Sequence, residues 1–192
     1  LGTVAKTELF KTVARLVTCR KGGWATVQRD EEDDEGEGND KAASAGDKQR
    51  CSGFGGAVVI AAAGNQASDK IRVYPAGETS DGLLAVAASN NVGGLAPFSN
   101  FGWVKVAAPG DGITSAQPGG GYATWSGTSM SSALAAGVAG LVRAANPTLP
   151  VNKVVKRLEE SATRLCGSST RQIDAAAALD GRAQRVRACE LP

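Results

Sequence analysis

The sequence contains no histidine, and this absence limits its possible chemistry more than any other feature. Histidine is the commonest general base in enzymes and the commonest side-chain ligand for metal ions. Any hydrolytic mechanism confined to these 192 residues must therefore work without an imidazole group. The remaining residues imply no cofactor and no metal site.

An excess of charge, long apolar runs and paired cysteine motifs are also missing. The net charge is only +2, from 21 Lys and Arg against 19 Asp and Glu, which does not indicate a nucleic-acid-binding protein. The apolar segments are too short, or too rich in Ala and Gly, to predict a membrane span. Cys19, Cys51, Cys166 and Cys189 lack the C-x-x-C spacing of zinc sites, and both two disulfides and four free thiols remain compatible with the sequence.

Residues 1–54 form a segment of their own. The chain begins with Leu1 and has no signal-type segment, so we expect a fragment, a processed product or an excised piece. An amphipathic helix is predicted over residues 4–17 and a short strand over residues 24–28. The acidic run at residues 30–37 is interpreted as a solvated loop, because like charges repel each other and the spacing of a calcium site is absent.

Residues 55–180 have the pattern of an α/β core. Continuous apolar runs bounded by Gly or Pro are typical of strands buried in a parallel sheet, and they occur at residues 57–63, 83–88 and 104–108. Helices are predicted at residues 133–145, 151–162 and 173–179. The fold class is therefore α/β, with a layered parallel sheet flanked by helices, and residues 181–192 form a polar tail.

The polar stretch at residues 126–132 leads directly into the longest helix. Thr128 or Ser129 would lie at its N-terminus, where free backbone N–H groups and the helix dipole favour negative charge. A serine in this position could act as a nucleophile whose oxyanion is bound by main-chain donors. The alternative is that Thr128 or Ser129 only caps the helix, as Ser and Thr commonly do.

Seven short motifs follow one another along the core. They are Ala62-Ala63-Gly64-Asn65, Tyr74-Pro75-Ala76, Phe98-Ser99-Asn100-Phe101-Gly102, Ala107-Ala108-Pro109-Gly110, Ser126-Gly127-Thr128-Ser129-Met130, Ala136-Gly137 and Asn146-Pro147. In this order the sequence resembles the subtilisin-like serine proteases, or subtilases, from about residue 55 to residue 180. The resemblance implies a subtilisin-like fold that is incomplete at its N-terminal side, endopeptidase activity on polypeptides, and a secreted or lumenal location.

The resemblance also assigns roles to individual residues. Ser129 would be the nucleophile, and the side-chain amide of Asn65 would form the oxyanion hole with the backbone N–H of Ser129. Ala63, Gly64 and Thr128 would contribute to substrate binding, and the proline of the second motif is commonly cis. Some subtilases bind calcium, but no ligand set is recognisable in this sequence.

The sequence departs from the subtilase pattern at several positions, and these departures leave alternatives to an active protease open. Subtilases carry an Asp and a His upstream of the matched region, whereas this chain has no His, and Ala133 stands where the family usually has Pro. The isolated chain is therefore expected to be nearly inert, and one expected partner is the missing N-terminal half of its own domain. A catalytically dead binding module is the main alternative. The sedolisin branch, in which Glu replaces His, is disfavoured because its oxyanion donor is usually Asp, not an Asn such as Asn65.

Overall fold

The structure, a computed structural model, describes residues 56–182. The helix predicted at residues 4–17, the strand at 24–28, the acidic loop at 30–37 and all but the first two residues of the polar tail lie outside the described residues. In chain order the elements are β1 (Val59–Ala62), β2 (Leu83–Ser89), β3 (Val106–Pro109), β4 (Ile113–Ala116), β5 (Tyr122–Trp125), α1 (Thr128–Ala145), α2 (Val151–Ser161), β6 (Thr163–Arg164), β7 (Arg171–Gln172) and α3 (Ala175–Asp180).

The main sheet has five strands in the order β1-β2-β3-β7-β6. β1, β2, β3 and β7 run parallel to one another, and β6 runs antiparallel to β7. The three predicted strands are present, although β1 and β3 each begin two residues later than their apolar runs. Within residues 56–182, β1 forms one edge of this sheet. The predicted α/β fold class is confirmed.

The core lies mainly between the sheet and the three helices. α1 packs across β1, β2 and β3, and α2 and α3 pack beside it. Apolar side chains of the strands meet Ala135, Ala139 and Val142 of α1 and Leu158 of α2 in one buried cluster. A second, smaller cluster covers the opposite face of the sheet. The spacing of the three α1 residues places them on one helical face, which is why the alanine-rich helix docks on the sheet.

The strands β4, β5, β6 and β7 were not predicted from the sequence. β4 and β5 form an antiparallel hairpin just before α1, and its residues are largely exposed. Cys166 is disulfide-bonded, which decides the open question of its oxidation state, and its partner lies outside the described residues. Among residues 56–182 no helix combines the length and apolarity that a membrane crossing requires.

Candidate active site

Ser129 lies in the first turn of α1. The helix begins at Thr128 and its N-cap residue is Gly127, with no side-chain capping bond, so neither Thr128 nor Ser129 caps the helix. The Ser129 side chain is exposed, and its hydroxyl has no hydrogen-bond partner within residues 56–182. Its backbone N–H is one of the first N–H groups of the helix, which lack acceptors inside the helix. No acidic residue lies in this first turn to compete with a bound anion.

Asn65 reaches the same helix terminus from the loop that follows β1. Its side-chain oxygen Oδ1 accepts hydrogen bonds from the backbone N of Thr128 and from Thr128 Oγ1, each at 2.9 Å. Because the oxygen is held by these two donors, the amide nitrogen Nδ2 is the group left to face an incoming ligand. The structure therefore brings Asn65 and Ser129, two of the predicted site residues, to one place.

The side-chain nitrogen of Asn65 and the backbone nitrogen of Ser129 both lie close to the space beside Gly127. A Cβ atom on Gly127 would lie 3.3 Å from Asn65 Nδ2 and 3.8 Å from the backbone N of Ser129. Neither donor has an acceptor among residues 56–182. Gly127 has an extended backbone that any residue can adopt, so the missing side chain matters for space and not for conformation. The space beside Gly127 is therefore the candidate position for the oxygen of a bound carbonyl group.

The three residues predicted to bind substrate occupy different positions. Thr128 is buried, and its hydroxyl donates to Asn65 and accepts from the backbone N of Gly64 at 3.1 Å. The Ala63 side chain is fully buried in the smaller core cluster. Gly64 is partly exposed and has a φ of +103°. Only backbone groups of Ala63 could therefore reach a substrate, whereas Gly64 lies at the surface of the site.

The structure adds Asn100, a residue to which the sequence analysis gave no role. Asn100 is fully buried and its side chain binds the loop that carries Asn65. It belongs to one of the seven motifs, and a polar residue between two aromatic residues was the available signal. The bond between Tyr74 and Pro75 is cis, as the resemblance implied. No group of three or more metal-ligating side chains occurs in the described part of the chain.

The chain is similar in sequence to known proteins of one family. A family model described as the subtilase family matches residues 20–180, so the match begins upstream of the first motif. Subtilisin-like protease 7 of Trichophyton equinum is 40% identical over 163 residues, covering 77% of this chain and 38% of that protein. Alkaline elastase YaB of Bacillus sp. (strain YaB) is 37% identical over 116 residues, covering 60% of this chain and 30% of that protein. The chain thus spans less than two fifths of the length of these relatives.

Solved structures agree with the family match. A protease from Pseudoalteromonas arctica PAMC 21717 superposes with a TM-score of 0.59 at 30% identity, covering 64% of this chain and 42% of that chain. A cold adapted subtilisin-like serine proteinase gives a TM-score of 0.53 at 33% identity, covering 58% of this chain and 41% of that chain. With the family model matching most of its length, the chain belongs to the subtilase family.

Proposed function

We propose that this chain supplies the nucleophile and the oxyanion hole of a serine endopeptidase. Ser129 would attack the carbonyl carbon of a peptide bond, and Asn65 and the Ser129 backbone N–H would bind the negative oxygen that forms. This proposal depends on one observation: two N–H donors without an acceptor among residues 56–182 lie close together beside the exposed hydroxyl of Ser129. Donors that are fixed before the reaction stabilise the transition state without reorganisation.

The proposed reaction proceeds in two stages. A general base takes the proton of the Ser129 hydroxyl while Oγ bonds to the substrate carbon, giving a tetrahedral oxyanion. The intermediate collapses, the C–N bond breaks, and the amine leaves with the proton from the protonated base. Water then attacks the acyl-enzyme by the same route and releases the acid, which returns Ser129 to its starting form.

The general base is the part that these 192 residues lack in its usual form, because the sequence has no histidine. Losing the triad's action costs about 10⁶ in turnover, a magnitude measured on a subtilase. We therefore propose that the Asp and His come from a segment or chain outside this sequence. Polypeptides are the proposed substrates, and these 192 residues alone are expected to hydrolyse them extremely slowly.

Chemical rescue by imidazole tests the proposal. The chain is incubated with a peptidyl p-nitrophenyl ester, with and without free imidazole, and acylation of Ser129 is measured by mass spectrometry of the protein. We expect an acyl adduct on Ser129 whose rate of formation rises with imidazole concentration. Ser129→Ala is the control, because it removes the nucleophile and leaves the background reaction of imidazole with the ester. If the two proteins were acylated at equal rates in imidazole, the acylation would not depend on Ser129 and the proposal would be overturned.

A binding module without turnover is the second candidate, and the lack of any imidazole group favours it. Such a module would bind peptides equally well with Ser129→Ala and would form no acyl adduct in imidazole. The first candidate is preferred because peptide binding alone does not require an exposed serine hydroxyl beside two N–H donors that have no acceptor in the described part of the chain.

A further inference from the structure

We propose that Asn100 is a positioning residue that sets the direction of the Asn65 side chain toward Ser129. Asn100 does not face the candidate site, so its effect would pass through the backbone of the loop at residues 63–68. The inference deepens the proposed function, because Asn65 is the oxyanion donor there. Its structural part can be tested without any catalysis.

The Asn100 side chain holds the loop on both sides of Asn65. Its Nδ2 donates to the carbonyl oxygen of Ala63 at 2.9 Å, before Asn65 in the chain. Its Oδ1 accepts from the backbone N of Gln66 at 3.0 Å and of Ser68 at 3.2 Å, after Asn65. The backbone N of Asn100 also donates to the carbonyl oxygen of Gly64 at 3.0 Å. One residue therefore fixes backbone groups immediately before and immediately after Asn65.

Asn100 is in turn fixed to the sheet. The buried hydroxyl of Ser99 donates to the carbonyl oxygen of Asn100 at 3.0 Å and accepts from the backbone N of Ala88 in β2 at 2.9 Å. Asn100 has no exposed surface, so water cannot replace its bonds without local opening. Asn100 and Ser99 thus connect the loop to β2. β2 also packs against α1, the helix that carries Ser129.

The Asn100 side chain can approach the loop at residues 63–68 only because position 64 is a glycine. A Cβ atom on Gly64 would lie 2.6 Å from Asn100 Nδ2, well inside van der Waals contact. Glycine at position 64 therefore lets the side chain of Asn100 reach the carbonyl of Ala63. The contact and the glycine together leave the loop little freedom to turn Asn65 away from Thr128.

Asn90 provides a matched control within the same chain. Its Oδ1 accepts from the backbone N of Val92 and Gly94, and its Nδ2 donates to the carbonyl oxygen of Leu95. It therefore braces a loop with the same chemistry as Asn100, but all these bonds stay within its own turn. A general loss of loop bracing should affect both positions, whereas loss of Asn65 positioning should affect only Asn100.

The test is amide hydrogen exchange at Thr128, measured by NMR on the ¹⁵N-labelled chain. The backbone N–H of Thr128 donates to Asn65 Oδ1, so its exchange reports whether Asn65 stays in place. With Asn100→Ala we expect Thr128 to exchange about tenfold faster relative to Ala139 inside α1, the effect of roughly one lost hydrogen bond. With Asn90→Ala the ratio should stay within about twofold of the unaltered protein.

Asn100→Asp provides the second variant, since Asn100→Ala can fail to fold. Asp keeps the shape and the acceptor but cannot donate to Ala63, so the exchange ratio should rise here too. An unchanged ratio in the folded variants, or an equal rise in Asn90→Ala, would overturn the inference. In the imidazole assay Asn100→Asp should lower kcat and leave KM unchanged, because the oxyanion contact forms in the transition state. If the unaltered chain never acylates but the exchange ratio rises, the proposed function fails and the positioning role stands.

Discussion

Asn65 and Thr128 are 63 positions apart, and two hydrogen bonds from Thr128 end on the single side-chain oxygen of Asn65. This pairing joins the loop after β1 to the start of α1. It also distinguishes the two ends of the Asn65 amide, because the oxygen accepts both bonds and the nitrogen has no acceptor among residues 56–182. The two bonds therefore leave the Asn65 amide nitrogen as the donor toward a ligand. One of them comes from the hydroxyl of Thr128, a residue that the sequence predicted to bind substrate.

Removing that hydroxyl should destabilise the protein. Thr128→Val keeps the shape but loses the bond to Asn65 and leaves the N–H of Gly64 without its acceptor. We expect the free energy of unfolding to fall by about 1–3 kcal/mol, the cost of an unsatisfied buried group. Thr128→Ser retains the hydroxyl and should lose less. Urea unfolding followed by tryptophan fluorescence measures both, and equal stability of the two variants would contradict the assignment.

A side chain at Gly127 should block the candidate oxyanion hole. The added methyl of Gly127→Ala would occupy the point 3.3 Å from Asn65 Nδ2, while the extended backbone accepts alanine. Ser129 acylation in imidazole should fall by about 10²–10³, the loss measured for one oxyanion donor in a subtilase. Gly137→Ala is the control, because no described atom lies within 4 Å of its Cβ position. Normal acylation by the Gly127 variant would place the reacting oxygen elsewhere.

Gly64 should tolerate alanine less well than other glycines with positive φ. Gly64→Ala places a Cβ 2.5 Å from Val73 Cγ2 in addition to a φ of +103°, so we expect a loss of about 2–5 kcal/mol in unfolding free energy. Gly112→Ala has a φ of +67° with no described atom within 4 Å, and it should cost about 1 kcal/mol. The difference between the two variants isolates the steric clash. Similar losses at both sites would mean that the loop moves aside.

Ser131 should be a site where alanine stabilises the fold. Its hydroxyl is fully buried and has no hydrogen-bond partner among the described residues. Ser131→Ala should raise the unfolding free energy by about 1 kcal/mol, because an unsatisfied buried group is removed. Ser132→Ala is the comparison, since Ser132 Oγ donates to the carbonyl oxygen of Ser129 at 2.8 Å and its loss should be neutral or destabilising. Thermal unfolding measures the stability of both variants. A gain in stability at Ser131 alone would show that the effect comes from its unsatisfied hydroxyl, and equal gains would show a general effect of replacing serine.

The sequence predicted the parts of the fold that carry a regular apolar pattern. The run at residues 83–88 and the long helix after residue 128 appear nearly as expected, because burial imposes alternation or continuous apolarity on them. The β4–β5 hairpin escaped prediction because its strands are short and mostly exposed. β6 and β7 contain two residues each, too few to show any period.

The candidate site also contains residues that the sequence identified and residues that it did not. Ser129 and Asn65 were identified because each lies in a motif with neighbours of a recognisable kind. The motif marked Asn100 as a polar residue between aromatic residues, but its role could not be inferred, because it binds mainly backbone groups more than thirty positions away, whose identity does not depend on the sequence. Ala63 directly follows β1, and its backbone N donates to the carbonyl oxygen of Val86 in β2 at 3.0 Å, which holds its side chain in the sheet's smaller cluster.

One donor comes from the loop after β1 and the other from the start of α1, so the two meet only when α1 has docked on the sheet. A copy that has formed α1 but not docked it presents an ordinary surface serine. Chemical reactivity of Ser129 would consequently report whether α1 has docked on the sheet.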